Sequence, residues 1–129
     1  HETPVHSANP APARLGSLAK KAAAVGVTAG NPDLSLLTED HEGTLIRTLG
    51  EYPTVVKAAA ELREPHRIAR YIEELAGTFH RFYDTCQILP KAGEQAQPIH
   101  TARLALAIAT RQVIANALGL LGVTAPEQM

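Results

Sequence analysis

Apolar side chains recur in alternating steps of four and three residues between Glu64 and Leu89, the most regular hydrophobic pattern in the chain. That spacing places them on one face of an α-helix. Pro65 suits the first helical position, because its N–H would have no partner there and its φ is already helical. Four of the five aromatic residues fall in this stretch, so we predict that the core forms around it. The apolar stripe comprises Ile68, Ile72, Leu75, Phe79, Phe82, Cys86 and Leu89.

Helical spacing also runs through four other stretches. Gly26 is suited to a left-handed cap after the first, and Thr38 is a good N-cap for the second. Besides the central helix, the predicted helices are Ala13–Val25, Thr38–Gly50, Tyr52–Arg63 and Ile99–Leu121. Their predicted buried faces include Leu18 and Val25, Leu45 and Ile46, Ala59 and Leu62, and Leu104 and Ile108.

The hydrophobic pattern contains no sustained two-residue alternation of the kind that predicts strands. We therefore predict an all-α bundle of four to five helices with mostly short connections. The proline-rich residues 1–12 are predicted to be irregular, and residues 13–129 to form the helical domain. Gly119 and Gly122 are expected to fray the last helix, and Val123–Met129 to be an extended tail.

Composition narrows the class of protein. A chain of 129 residues fits one domain. The formal net charge of −1 does not indicate a nucleic-acid binder, so such a function would need a local basic face. The single cysteine excludes a disulfide within the chain. No uninterrupted apolar run reaches the roughly 20 residues of a membrane span and the first ten residues show no signal-peptide pattern, so we expect a cytoplasmic protein with no membrane partner.

The motifs of enzymes and metal sites are missing from the sequence. It has no glycine-rich phosphate loop, no nucleophile elbow, and no clustering among its six histidines, so we expect no catalytic residue, metal or cofactor. His80 and Asp84 lie four residues apart and are interpreted as a structural pair, with catalytic use as the alternative. Cys86 is interpreted as a small buried hydrophobe. Tyr71, off the main stripe, is the candidate for an exposed stacking or hydrogen-bonding ring.

Basic residues recur on three of the predicted helices. One interpretation is a solvated face with pairs such as Arg70 with Glu74. The other is a face that contacts RNA phosphates, as Arg and Lys commonly do. The residues are Arg14, Lys20 and Lys21 on the first helix, Arg67, Arg70 and Arg81 on the central one, and Arg103 and Arg111 on the last.

Several segments resemble a known family. They are Pro65-His66-Arg67-Ile68-Ala69, Leu75-Ala76, Phe79-His80 with Phe82-Tyr83, Ala102-Arg103-Leu104-Ala105-Leu106, Ala109-Thr110-Arg111-Gln112-Val113, and the ending from Leu120 to Met129. Together they are similar to the C-terminal anticodon-binding domain of arginyl-tRNA synthetases, the DALR domain of these class I aminoacyl-tRNA synthetases. The resemblance implies an all-α module that binds the anticodon arm of a tRNA, of arginine type, and it does not include the family's catalytic domain.

The first helix departs from the family pattern. The family has Asn-Pro-Val-Tyr-Tyr-Val-Gln-Tyr-Ala-His-Ala-Arg where this chain has Thr3 to Arg14, so the tyrosines and the histidine are replaced while Arg14 is kept. Those rings offer stacking worth roughly 1–3 kcal/mol per base. The two prolines, Pro10 and Pro12, are also expected to break this part of the helix.

Two hypotheses follow from the resemblance and the departure. The first is a diverged, freestanding tRNA-binding module that selects a tRNA for a partner enzyme, with no DNA partner. The alternative is a protein-interaction module that kept the fold and lost tRNA. In the first hypothesis Arg14, Lys20 and Lys21 contact the RNA backbone, and the family pattern adds Arg111 and the C-terminal Met129. The specificity-bearing surface is then expected on the first helix and the tail.

Overall fold

The computed structural model describes residues 10–124, and the side chains of residues 17–122. This part of the chain contains five α-helices, a short 3-10 turn and no strand, which confirms the predicted all-α bundle. Residues 1–9, most of the predicted irregular segment, and residues 125–129 of the predicted tail lie outside the described residues. The helices are α1 (Pro10–Ala24), α2 (Asp40–Gly50), α3 (Tyr52–Leu62), α4 (His66–Thr85) and α5 (Pro98–Thr124), and the 3-10 turn covers Leu34–Leu36.

Helix α4 forms the centre of the bundle, as its hydrophobic stripe predicts. It packs against α2, α3 and α5, and α5 packs in turn against α1. Phe79 and Phe82 are 1% and 0% exposed. Burying a side chain of this size stabilises the fold by roughly 1.5–3 kcal/mol. The aromatic cluster is therefore core, and the half-buried Tyr83 lies against Phe79 with ring centroids 5.9 Å apart.

Helix α4 ends at Thr85, four residues before the predicted Leu89. Cys86 has an extended backbone, with φ −116° and ψ 114°, and its N–H donates to the carbonyl of Phe82. The change of direction puts Ile88 into the core at 4% exposure, while Leu89 is only partly buried. The helical period therefore holds up to Cys86 and not beyond it.

Helix α1 begins at Pro10, three residues before the predicted Ala13. Pro10 and Pro12 lie in its first turn, where a missing N–H leaves no intrahelical bond unmade, so the expectation that they break the helix is wrong. The helix ends at Ala24, and Gly26 has the predicted positive φ of 79°. That turn leaves Val25 46% exposed, contrary to prediction, and buries Val27 instead.

Helix α2 has Glu39, not the predicted Thr38, as its N-cap. The Glu39 side chain accepts from the backbone N–H at Glu42, and the Glu42 side chain accepts from the N–H of Glu39 at 2.8 Å, forming a capping box. Leu45 is fully buried as predicted. Ile46, and Leu62 on α3, were also predicted to be buried, but they are 42% and 56% exposed. Both helices pack against α4, and these two side chains remain exposed to solvent.

Helix α5 continues through Gly119 and Gly122 to Thr124, so these glycines do not fray it. Its two predicted apolar faces are only partly buried. Ala107 and Ile114 are fully buried, whereas Ile108 is 43% exposed. The absence of a long uninterrupted apolar run predicts no membrane span, but Pro98–Gly122 is long and apolar enough to cross a membrane. A third of its most apolar window is buried inside the bundle. Core helices of soluble proteins also meet this criterion of length and composition.

Candidate nucleic-acid interface

The residues predicted to bind tRNA lie on α1 and α5. Lys20 and Lys21 are exposed near the end of α1, and Arg111 is exposed on α5. Because α1 packs against α5, the fold brings the two basic helices side by side. The backbone of Arg14 belongs to α1, but its side chain lies outside the described residues, as does all of Met129.

Acidic residues are absent from both of these helices. The 42 residues of α1 and α5 contain five Arg and Lys and no Asp or Glu. By contrast, eight of the chain's 13 acidic residues lie between Glu39 and Glu74, which covers α2, α3 and the first half of α4. A chain that is nearly neutral as a whole therefore divides into an acid-free α1–α5 pair and an acidic remainder.

Arg103 of α5 is not available to a phosphate. Its Nε donates to Glu42 Oε2 at 2.6 Å and its Nη1 donates to the Gln87 carbonyl at 2.9 Å. Glu42 is fully buried, and its other oxygen accepts from the Glu39 N–H. Arg103 thus joins α5 to the start of α2 through Glu42, and to the residues that follow α4 through the Gln87 carbonyl. Arg103 belongs to this internal clamp, which corrects its place among the phosphate-contacting candidates.

Two arginines of α4 donate to residues close to them in the sequence. Arg67 donates to Glu64, and this hydrogen bond holds the pKa of the Glu64 carboxyl below its ordinary value. Arg81 Nη2 donates to Thr78 Oγ1 at 3.3 Å. Among the described ion pairs, the one at the start of α4 joins Arg67 to Glu64 and not Arg70 to Glu74. For this helix, the interpretation as a solvated face fits better than the phosphate-contacting one.

Tyr71 is not an exposed ring, and that expectation is wrong. It is only 3% exposed, its hydroxyl donates to the Thr48 carbonyl at 2.6 Å, and its ring stacks on Tyr52 with centroids 5.9 Å apart. Burial raises its pKa to about 12. Tyr71 is buried although it lies off the main stripe, because α2 and α3 cover a further side of α4. The apolar pattern of a single helix does not reveal such a contact.

Two side chains singled out for possible chemistry have structural surroundings. His80 Nε2 lies 3.3 Å from Asp84 Oδ2, and both side chains are more than half exposed, as in a surface pair between successive turns. Cys86 is buried, as interpreted, and that burial raises the pKa of its thiol, which lowers its reactivity. The described residues include no group of three His, Cys, Asp or Glu side chains placed to hold a metal ion.

A polar cleft of about 520 Å³ lies where the α4–α5 connection meets the start of α5. No motif in the sequence indicates this cleft, because its residues come from the α4–α5 connection and from two successive turns of α5, whose sequence is mostly apolar. Its lining consists of Gln87, Glu94, Gln95, Gln97, Ile99, His100 and Arg103.

The model of one protein family matches residues 9–129, nearly the whole chain, and its description is "DALR anticodon binding domain". The chain belongs to the DALR anticodon-binding domain family. No solved structure matches it significantly. The all-helical bundle is consistent with such a domain, and membership indicates an RNA partner, the anticodon region of a tRNA. Domains of this family are non-catalytic.

Within this DALR domain, the helices that carry Lys20, Lys21 and Arg111 pack against each other, and the role of these side chains stays a prediction. It removes Arg103 and Tyr71 from the candidate surface, and it adds the polar cleft.

Proposed function

We propose that this DALR domain binds the anticodon arm of a tRNA, with RNA phosphates following the acid-free surface of α1 and α5. One observation carries the proposal: exposed Lys20, Lys21 and Arg111 lie on two adjacent helices without a carboxylate. Phosphate contacts from Lys and Arg position an RNA and provide most of the affinity.

The division of charge also favours one orientation of the RNA. Within the segment from Glu39 to Glu74, eight acidic side chains outnumber five basic ones, so that part of the bundle repels a polyanion. The α1–α5 pair has the opposite sign, and the buried Glu42 offsets only Arg103 within it. A tRNA therefore approaches the bundle from the α1–α5 side, although the net charge of the whole chain is close to zero.

The finer parts of the proposal come from the resemblance to arginyl-tRNA synthetases. The tRNA is of arginine type, Arg14 adds a backbone contact, and Met129 contacts the anticodon arm. The chain itself catalyses nothing and acts in the cytoplasm. A domain that only holds the anticodon arm needs a catalytic unit to charge the tRNA, in the same polypeptide or in another, and that unit is the proposed partner.

Salt-dependent tRNA binding tests the proposal. A fluorescence titration of labelled arginine tRNA at several salt concentrations gives the slope of log affinity against log salt. Each lost phosphate contact reduces that slope by about 0.7–0.9. We expect Arg111→Ala and the double variant Lys20→Ala with Lys21→Ala to weaken binding and to flatten the slope. The matched control is Lys57→Ala, an exposed cation on the acidic side, which should leave both quantities unchanged.

Two results would count against this proposal. No binding of tRNA at low salt excludes the function, and equal losses for Lys57→Ala and Arg111→Ala exclude the assigned surface. A parallel titration with a tRNA of another amino acid tests the arginine type separately.

The alternative function, a protein-interaction module without tRNA binding, is favoured by apolar side chains around the α1–α2 connection. Val25 and Leu34 are 46% and 58% exposed, and the α1–α2 connection holds both of them. An RNase-treated pull-down that returns one defined partner, with no tRNA binding by the purified chain, would support this function over the first.

A further inference from the structure

The side chain of His100 caps the start of α5. Gln97 precedes Pro98, the first residue of the helix, and His100 is the third residue. His100 Nδ1 accepts from the Gln97 N–H at 2.9 Å, and the His100 N–H donates to the Gln97 carbonyl at 2.9 Å. Glu42 caps Glu39 from the same position at the start of α2, but there the acceptor is a carboxylate. An imidazole in this position makes the cap sensitive to pH between about 5 and 8.

Protonation of His100 is incompatible with this cap. Because Nδ1 is the acceptor, the neutral ring carries its proton on Nε2, and a second proton can be added only at Nδ1. Both nitrogens of an imidazolium are donors, so Nδ1 and the Gln97 N–H would then face each other as two donors. The ring also becomes a cation at the N-terminal end of α5, which the helix dipole disfavours. The cap and the charge on the ring therefore exclude each other.

The surroundings of His100 favour the neutral ring and still let a proton reach it. The residue is 6% exposed, and burial lowers its pKa. It also lines the polar cleft at the start of α5, so solvent reaches it without any opening of the bundle. The cap is therefore formed at neutral pH and can be lost in acid.

Charged groups around the ring come from the connection and from α5 itself. Among the described residues, Glu94 favours the charged ring and Arg103 disfavours it. Arg103 is held in turn by Glu42 at the start of α2. At the end of α4, burial raises the pKa of the Cys86 thiol, so this group stays neutral. A protonated ring is thus repelled by Arg103 and attracted by Glu94.

The connection before α5 is held by hydrogen bonds and not by apolar packing. Residues 91–98 are all exposed, so none of their apolar side chains belongs to the core. Glu94 Oε1 accepts from the Lys91 N–H at 2.8 Å and from Gln87 Nε2 at 3.0 Å. The Glu94 N–H donates to the Lys91 carbonyl at 2.9 Å, across a turn in which Gly93 has a positive φ of 88°. A segment held by a few exposed hydrogen bonds opens much more easily than a packed core.

We propose that His100 is an acid-sensitive cap, which holds residues 91–97 at the start of α5 while it is neutral and releases them when Nδ1 is protonated. The bundle stays folded, because the loss of one cap is small compared with the stability of a domain. The cap involves no residue of the α1–α5 phosphate surface, so this device goes beyond the proposed function and does not depend on it.

Hydrogen exchange of single amides tests the cap. NMR spectra of the wild-type chain between pH 7.5 and pH 4.5 give the midpoint at which the His100 ring titrates. Exchange rates of the backbone amides with water, corrected for the intrinsic effect of pH, are then compared above and below this midpoint. One net hydrogen bond corresponds to a factor of about five, so we expect Gln97 to lose protection by about fivefold or more. Lys91 and Glu94 should lose protection with the same midpoint, and the core amides of α4 should keep theirs.

His100→Gln separates the proton on the ring from other effects of acid. Its amide oxygen can accept from the Gln97 N–H, and it does not titrate, so Gln97 should be equally protected at both pH values. The matched control is His66→Gln, at an exposed histidine that begins α4, and it should show the same loss as the wild type. The Glu39 N–H, which a carboxylate caps, should stay protected in all three chains.

Four results would overturn the proposal. They are a His100 ring that does not titrate in this range, a Gln97 amide that stays protected below the midpoint, an equal loss of protection in His100→Gln, and a simultaneous loss at the core amides of α4. The last result would show that acid unfolds the whole bundle and does not release one segment.

Discussion

Replacing Arg103 by methionine should destabilise the fold strongly, although Arg103 lies on a helix with a solvent-exposed side. The change keeps a side chain of similar length and removes the donors to Glu42 Oε2 at 2.6 Å and to the Gln87 carbonyl at 2.9 Å. Glu42 is fully buried, so its charge then has only the Glu39 N–H as a partner. Removing one member of a buried ion pair costs about 3–5 kcal/mol.

The loss can be converted to a melting temperature. At about 2.1 cal/mol/K per residue, unfolding 129 residues carries an entropy of ~0.27 kcal/mol/K, so the midpoint should fall by about 11–18 °C. Urea and thermal unfolding followed at 222 nm measure both quantities. Arg111→Met, at an exposed position of the same helix, is the control and should stay within about 0.5 kcal/mol.

A double variant separates the ion pair from packing. Glu42→Gln combined with Arg103→Met removes the unpaired charge and keeps an acceptor for the Glu39 N–H, so it should be more stable than Arg103→Met alone by about 1 kcal/mol or more. A loss below about 1 kcal/mol for Arg103→Met, or a double variant less stable than the single one, would refute the reasoning.

Three further predictions concern single side chains. Burial lowers the pKa of His100 below its value of 6.5 in the unfolded chain. The buried neutral ring therefore contributes fully to the folding stability above pH 6.5, and this contribution is lost as the pH falls through the lowered pKa. Urea unfolding at pH 7.5 and pH 5 should show a larger loss of stability for the wild type than for His100→Gln, which keeps an acceptor for the Gln97 N–H, and equal losses would contradict this. Tyr71→Phe should cost about 0.5–1.5 kcal/mol, because it removes the hydrogen bond to the Thr48 carbonyl, which keeps the Glu51 N–H as a donor. In an alkaline absorbance titration, Tyr71 should be missing from the tyrosines that ionise below pH 11. Cys86 should react with a thiol reagent much more slowly in the folded chain than in urea, and equal rates would show that it is not buried in solution.

Local sequence patterns were sufficient for the helices but not for all of their ends. The four-and-three spacing predicted α4 and its buried face, and Gly26 was predicted as a left-handed cap. Thr38 was predicted as the N-cap of α2, but Glu39 has that role. It forms a capping box with Glu42, whose other oxygen binds Arg103, 61 residues away. An end that depends on a partner so distant in sequence is not visible in the local pattern.

The resemblance identified the family and added Arg111 to Lys20 and Lys21 as candidate tRNA contacts, and these contacts stay predictions. Which cations are free depends on tertiary partners, and Arg103 is indistinguishable from Arg111 until Glu42 is placed beside it. The cleft could not be predicted, because Glu94, His100 and Arg103 belong to no spacing motif and meet only when the connection folds back.

The sequence alone therefore determined the all-α class, the central helix and the family, because periodicity, caps and family motifs are properties of neighbouring residues. The tertiary structure decided which polar side chains are internal and which face solvent. Tyr71 and Arg103 became structural, and the α1–α5 pair and the cleft became the available surfaces. Burial and pairing depend on residues far apart in the chain, so only the packed bundle fixes them.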